Sequence, residues 1–199
     1  TSILILQTSQ NLSNMASRFM KRLIGATVCA FIAFAFICVS FFTQDWMVIV
    51  ILGIAVKAGV PTGIFPWYCI SAGTCSVFLN AADGWDKCFF FLMLFAWIFQ
   101  FIALVTGVVA LLFRGIRYIS THLFCGTQAL ITLLIIAELI LYGVQYDRNL
   151  EAFNYIPGLS VSLGYSYWLL VVAAIFSVVT FANAAAATER ARHDDCDCD

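Results

Sequence analysis

Charge is what this sequence has least of. Only 11% of its 199 residues are charged, against roughly 25% in a soluble domain. The formal net charge is -1 and no basic stripe stands ready to neutralise phosphates, so nucleic acid is excluded as a partner. Enzyme chemistry has no foothold either. There is no Ser-His-Asp grouping, no GxGxxG after a strand, no HExxH and no spaced Cys/His metal set. The expectation is a non-enzyme without cofactor or metal. No internal repeat is visible, and one domain, 1–199, accounts for the chain.

What fills the space is apolar: 63% of residues are hydrophobic and the mean hydropathy is +0.97, the composition of an integral membrane protein. Four segments reach the roughly 20 apolar residues that cross a bilayer as a helix: Leu23–Phe42, Cys88–Phe113, Tyr118–Val144 and Ser162–Ala187. Lys21 and Arg22 before the first resemble the start of a signal peptide. The apolar run is too long for one, and no A-x-A-like site leads into a soluble domain, so it reads as a retained helix. Arg18, Lys21, Arg22, Arg114, Arg117, Arg190 and Arg192 fall on one side, against Lys57, Lys87 and Arg148 on the other. That split puts the N-terminus (1–22), the middle connection (114–117) and the tail (188–199) in the cytoplasm, and the loops 43–87 and 145–161 outside the plasma membrane.

The lead-in TSILILQTSQNLSNMAS has no sustained periodicity and reads as frayed or interfacial; its Asn11-Leu12-Ser13 sequon lies on the cytoplasmic side, where glycosylation is not expected. The tail TERARHDDCDCD is short and polar and reads as disordered, with Cys196 and Cys198 set among acids that disfavour palmitoylation near an anionic leaflet. His122 needs no catalytic role. In the long outer loop, Trp46 takes the place of an aromatic ring at the membrane interface. MVIVILGIAV is β-branched and too short to span, hence a strand, and KAGVPTG supplies turns. WYCISAGTCSVF reads as strand, turn at Ser71-Ala72-Gly73, strand. The fold class expected is an all-α membrane protein, a left-handed four-helix transmembrane bundle with a small extracellular β-sheet formed mainly by the first outer loop.

Cys69 and Cys75 flank that turn in an oxidising compartment, where two cysteines across a hairpin approach within bridging distance; a Cys69–Cys75 disulfide is the expectation, with Cys88 a rival partner because spacing alone does not fix the pairing. Cys29, Cys38 and Cys125, inside helices, act as small apolar residues. Glu138 is the one acid in a helix interior, an intramembrane polar candidate whose expected role is to tie the third helix to the base of the outer domain, with an ion pathway as the alternative. It lies ~9 Å below Val144 at the helical rise, within reach of water or Lys87. Gln100 and Gln128 fall near mid-helix on neighbouring helices, where they could meet in an interhelical hydrogen bond. Ala26, Ala30 and Ala33 on the first helix, and Ala173, Ala174 and Ser177 on the fourth, let backbones approach.

A Trp soon after the first helix, then Gly-Leu-Trp, then two nearby cysteines in the first outer loop of a four-helix membrane protein is the signature of the claudins. The wider group takes in peripheral myelin protein, epithelial membrane proteins and the calcium-channel gamma subunits. This chain resembles that family through Trp46, then Gly63-Ile64-Phe65, then Cys69 and Cys75, and through LGYSYWLLVVAAIF at the fourth helix. Phe65 stands where the family has Trp, Pro66 and Trp67 intervene before Cys69, the cysteines are unusually close, and the DCDCD end differs from the hydrophobic residue that engages PDZ domains. The resemblance implies a divergent claudin-like junction or adhesion protein without catalysis. Its partners would be itself and other claudin-like proteins, in the same or an apposed membrane, besides membrane lipids. Ile64, Phe65 and Trp67 would supply contacts, while Asp83 and Asp86 would bias ion passage by charge-ring logic. The gamma-subunit branch implies an alternative, an auxiliary subunit modulating an ion channel or receptor.

Overall fold

The computed structural model describes residues 2–51, 54–56, 64–145 and 159–196. Gly63, Lys57, Asp147, Arg148, Glu151 and Cys198 lie outside the described residues. In chain order the elements are α1 (Ser2–Phe42), β1 (Met47–Ile51), β2 (Ile54–Val56), α2 (Tyr68–Ala72), α3 (Cys75–Ala81), α4 (Gly84–Leu112), a 3-10 turn (Arg114–Ile116), α5 (Arg117–Gln145), β3 (Leu159–Leu163) and α6 (Tyr165–Cys196). Four helices are long and apolar enough to cross a membrane, over Phe19–Phe42, Gly84–Leu112, Arg117–Gln145 and Tyr165–Glu189. The architecture is the four-helix bundle with a small antiparallel sheet that the apolar runs imply.

The buried positions explain why these helices pack. On α1 they fall at Phe19, Leu23, Ala26, Ala30, Ala33, Ile37 and Ser40; on α5 at Phe124, Gln128, Ile131, Ile135, Glu138 and Tyr142; on α6 at Ser166, Leu170, Ala173, Ser177, Thr180, Ala184 and Ala187. Each series steps alternately by four and three residues, the 3.5-residue period that keeps one seam facing its neighbours in left-handed helix packing. Many of those residues are small, which lets backbones come close where lipid supplies no hydrophobic drive.

Both ends of the bundle's chain depart from the reading of frayed termini. α1 is helical from Ser2 and α6 continues through Cys196. Extending a nucleated helix adds a bond per residue without the nucleation cost, and the Ala, Glu and Arg residues after Ala184 are good helix formers. α6, in turn, starts later than Ser162. Leu159-Ser160-Val161-Ser162-Leu163 alternates with period two and pairs with β1, from Met47 opposite Leu163 to Ile51 opposite Leu159. The second outer loop thus contributes a strand, and the sheet order is β2-β1-β3. β1 and β2 together are the segment MVIVILGIAV, folded back as a hairpin with Ile51 opposite Ile54.

The strand-turn-strand reading of WYCISAGTCSVF is corrected to two short helices, α2 and α3. β1 already has a neighbour on each edge, so this segment finds no ladder and its amides are satisfied locally. Cys69 donates to Pro66 O at 2.8 Å and Val77 to Thr74 O at 3.0 Å. Gly73 ends α2 at φ 67°, the left-handed conformation a residue without Cβ adopts freely, and Thr74 N bonds back to Cys69 O at 3.0 Å.

The contacts divide the chain into two units. One gathers Thr1–Ile32, Phe99–Thr132 and Phe176–Asp199; the other, which carries the sheet, gathers Ala33–Ile98 and Leu133–Ile175.

Candidate functional site: the moorings of the sheet

A helix leaves its last carbonyls without intrahelical donors. At the end of α1 three of them are taken in a row. Thr43 caps Val39 O through its amide at 3.1 Å and its hydroxyl at 2.7 Å. The indole of Trp46 donates to Ser40 O at 2.9 Å, and the indole of Trp67 donates to Phe41 O, also at 2.9 Å. Trp46 comes from just before β1 and Trp67 from just before α2. The two sides of the first outer loop are therefore fastened to adjacent carbonyls of one helix end. Each bond contributes about 1 kcal/mol net, and more is lost if its buried carbonyl is left unpaired.

Around Trp46 the fit is closed. The residue is fully buried: the indole N–H is spent on Ser40 O and the ring stands edge-on to Tyr142 at 4.9 Å. Ser40 donates its hydroxyl to Ser166 O at 2.8 Å, and the Thr43 and Ser166 hydroxyls meet at 2.7 Å. Gly164 donates its amide to Trp46 O at 2.7 Å, and Ser166 its amide to Asp45 O at 3.2 Å. A Cβ on Gly164 would collide with the Asp45 carbonyl oxygen. The glycine is what allows β3 to hand over to α6 against the Asp45–Trp46 backbone. None of Ser40, Thr43 and Tyr142 stood out in the sequence; Gly164 and Ser166 lay inside the LGYSYW stretch at the fourth helix, which drew attention without showing what they hold.

Trp67 sits in a cluster of rings. Its centroid lies 4.9 Å from Phe41, 4.7 Å from Phe42 and 4.9 Å from Phe65, and Phe65 stacks on Phe90 at 4.6 Å. Of the three expected contact residues, Ile64 and Phe65 are buried, with Phe65 packed on Phe90 of α4, whereas Trp67 keeps part of its surface exposed. What the loop exposes instead is Ile70 on α2 and Val77 on α3, at 65% and 63%. Between them Cys69 and Cys75 are joined in a disulfide with Cα atoms 4.8 Å apart, leaving Cys88 a free thiol. Closing so short a loop contributes about 2 kcal/mol.

Asp83 and Asp86 stand at the start of α4. Asp83 is exposed, whereas Asp86 is half-buried in the first turn and accepts from the Asp83 backbone amide. That is the reaching-back half of a capping box, which ties up an amide the helix start leaves unsatisfied. Of the two carboxylates, Asp83 is the one turned to solvent.

The intramembrane polar residues part company. Gln100 donates to Ala30 O at 3.0 Å, joining α4 to α1, and Gln128 donates to Ser177 Oγ at 2.7 Å, joining α5 to α6. The expected bond between the two glutamines is corrected: each finds a nearer acceptor across its own seam. Glu138 is fully buried, and neither of its oxygens has a hydrogen-bond partner among the described residues, Lys87 included. Among the described residues no group of three or more His, Cys, Asp or Glu side chains could hold a metal ion.

The comparisons agree with this arrangement. The sequence model of the family described as "Tight junction protein, Claudin-like" matches residues 15–198, nearly the whole chain. No curated protein matches it. A four-helix bundle that moors a small sheet through Trp46 and a disulfide-pinned loop, matched over that length, belongs to the claudin-like tight junction family of multi-pass membrane proteins.

Proposed function

We propose that the chain is a cell-junction adhesion protein of the plasma membrane, with both termini cytoplasmic and its sheet outside. There it forms lateral and cell-to-cell contacts with its own copies and with related claudin-like proteins, giving a paracellular barrier or a selective pore. The observation that carries the reading is the family match over residues 15–198. The excess of Lys and Arg on one side of the four helices supports the orientation.

The mechanism rests on rigidity where the first outer loop is moored and on exposure of its two short helices. The two indole caps and the disulfide remove freedom from the first outer loop before any partner is met, so less ordering entropy is lost on association. Ile70 and Val77, apolar and exposed on α2 and α3, are then the contact residues. Asp83, exposed at the head of α4, is the carboxylate placed to attract cations if copies enclose a path, while Asp86 serves the helix start.

The test is expression of the full chain in cultured cells that make no junctions of their own. Enrichment at contacts only where both cells express it, lost on Ile70→Asp or Val77→Asp with surface delivery intact, is the expected result. Uniform surface distribution, or recovery with an ion channel at constant ratio, would turn the reading toward an auxiliary subunit. Should a pore form, Asp83→Asn lowers its cation preference and Asp86→Asn does so less.

A further inference from the structure

Arg117 opens α5, and its side chain is clasped by two other helices. Its Nε donates to Ala110 O at 3.1 Å, one of the last carbonyls of α4, which a helix leaves without an internal donor. Its guanidinium carbon stands 6.0 Å from the centre of the Phe19 ring on α1, at the reach of a cation–π contact. The head of the side chain is thereby fixed while remaining half-buried, open on part of its surface.

A guanidinium carries five N–H donors in one plane. Nε gives its one to Ala110 O; the two terminal amino groups carry the other four, and their paired edge is the fork that fits a phosphate. The surface beside it is apolar. Leu112, Phe113, Ile116 and Ile119 are all exposed, where α4 leaves and α5 enters the membrane. Cations join from α1: Lys21 is exposed, and Arg22 lies one turn from Phe19. From Thr1 to Gln44 and from Cys88 to Ala137 the sequence has no acidic residue. The acids of this unit are Glu189, Asp194, Asp195, Asp197 and Asp199, on α6 and just after it.

We propose that Arg117 holds the phosphate of an anionic phospholipid, in the leaflet that the proposed orientation makes cytoplasmic, while the exposed apolar rim beside it takes the acyl chains. A phospholipid matches both parts of this surface, a phosphate for the fork and hydrocarbon for Phe113, Ile116 and Ile119. A soluble phosphate would use the fork alone. An unrestrained basic residue near a membrane attracts anionic lipid diffusely, wherever it swings. The contacts to Ala110 O and Phe19 set the fork in advance, so less ordering entropy is lost when a headgroup docks. Because α1, α4 and α5 meet at this side chain, the bound lipid fastens that end of the bundle.

The experiment places the full chain in two kinds of nanodisc and reads thermal unfolding, with native mass spectrometry to count the lipid retained. One is phosphatidylcholine, whose trimethylammonium answers its own phosphate; the other adds phosphatidylglycerol, whose charge is its phosphate alone. Phosphatidylglycerol is expected to raise the unfolding midpoint of the parent and to stay bound on release. Arg117→Gln should cut that retention about tenfold and abolish the shift. Arg117→Lys keeps the charge without the fork and should recover only part of either. Lys21→Gln removes the same charge from an exposed side chain and should change retention by no more than about twofold. Any loss of intrinsic stability in a variant falls equally in both lipids and cancels from the comparison. Inorganic phosphate added to the phosphatidylcholine discs should not reproduce the shift. The proposal is overturned if the parent shows no preference between the lipids, or if Lys21→Gln loses as much lipid as Arg117→Gln. It is overturned equally if inorganic phosphate stabilises as the lipid does, or if Arg117→Gln lowers the midpoint by the same amount in both discs, the result for a helix cap or for a partner among the α6 aspartates. Both leaflets of the disc carry the added lipid, so failure counts against this site and leaves the orientation and the junction reading untouched.

Discussion

The two halves of the bundle solve different problems with different residues. The unit that holds Gln100 and Gln128 buries many small side chains, Ala26, Ala30, Ala103, Ala110 and Ala184 among them, and joins helix pairs by two hydrogen bonds donated by the glutamine amides. The unit that carries the sheet is closed by rings: Phe41, Trp46, Phe65, Phe89 and Tyr142 are all buried there. Helices that only need to lie against each other in lipid gain by shedding side-chain bulk. A helix end that must also hold a folded loop needs donors for its last carbonyls, and indoles supply both the donor and the mass to bury.

That contrast predicts where the chain is brittle. The largest effect is expected for Gly164→Ala, whose new Cβ meets backbone at Asp45 with nothing flexible to yield; a loss on the order of 3 kcal/mol or more, or failure to fold, should appear in thermal unfolding. The same change at Gly107, in the other unit, meets only side chains at 3.2 Å, the ring of Phe124 and the hydroxyl of Thr27. About 1–2 kcal/mol is expected there, so near-equal losses at the two glycines would erase the distinction. Between them comes Cys75→Ser, expected to lower stability by about 2 kcal/mol and to mimic mild reduction of the parent. Smallest is Gln128→Leu, which leaves Ser177 without its donor and should cost about 1 kcal/mol in a chemical unfolding series.

Much of this was legible in the sequence, for a physical reason in each case. Apolar run length is set by bilayer thickness, so the four spans fall within a few residues of those read from composition. β-branched density marked β1 and β2. Other features depend on tertiary partners. β3 was hidden because Leu159–Leu163 has its strand period only in five residues, abutting a longer apolar helix. α2 and α3 were misread because strand propensity expresses itself only where a ladder is open, and β3 had filled the remaining edge of β1. Trp46 and Trp67 drew attention as aromatics, but their capping of Ser40 and Phe41 joins positions 6 and 26 residues apart, which local pattern does not reveal. Ile64 and Phe65 look outward in sequence because loops usually do, whereas in the structure Phe65 turns in onto the rings of Phe90 on α4 and Trp67.

The claim that the sheet is held by the two indoles is tested most directly by amide hydrogen exchange on the full chain and on Trp46→Phe, which keeps a ring and removes the donor. Loss of about 1 kcal/mol of local stability should speed exchange in β1 and β3 about fivefold, while amides around Gln100 and Gln128 keep their rates. Unchanged exchange in the sheet, or acceleration spread evenly through both units, would contradict the account.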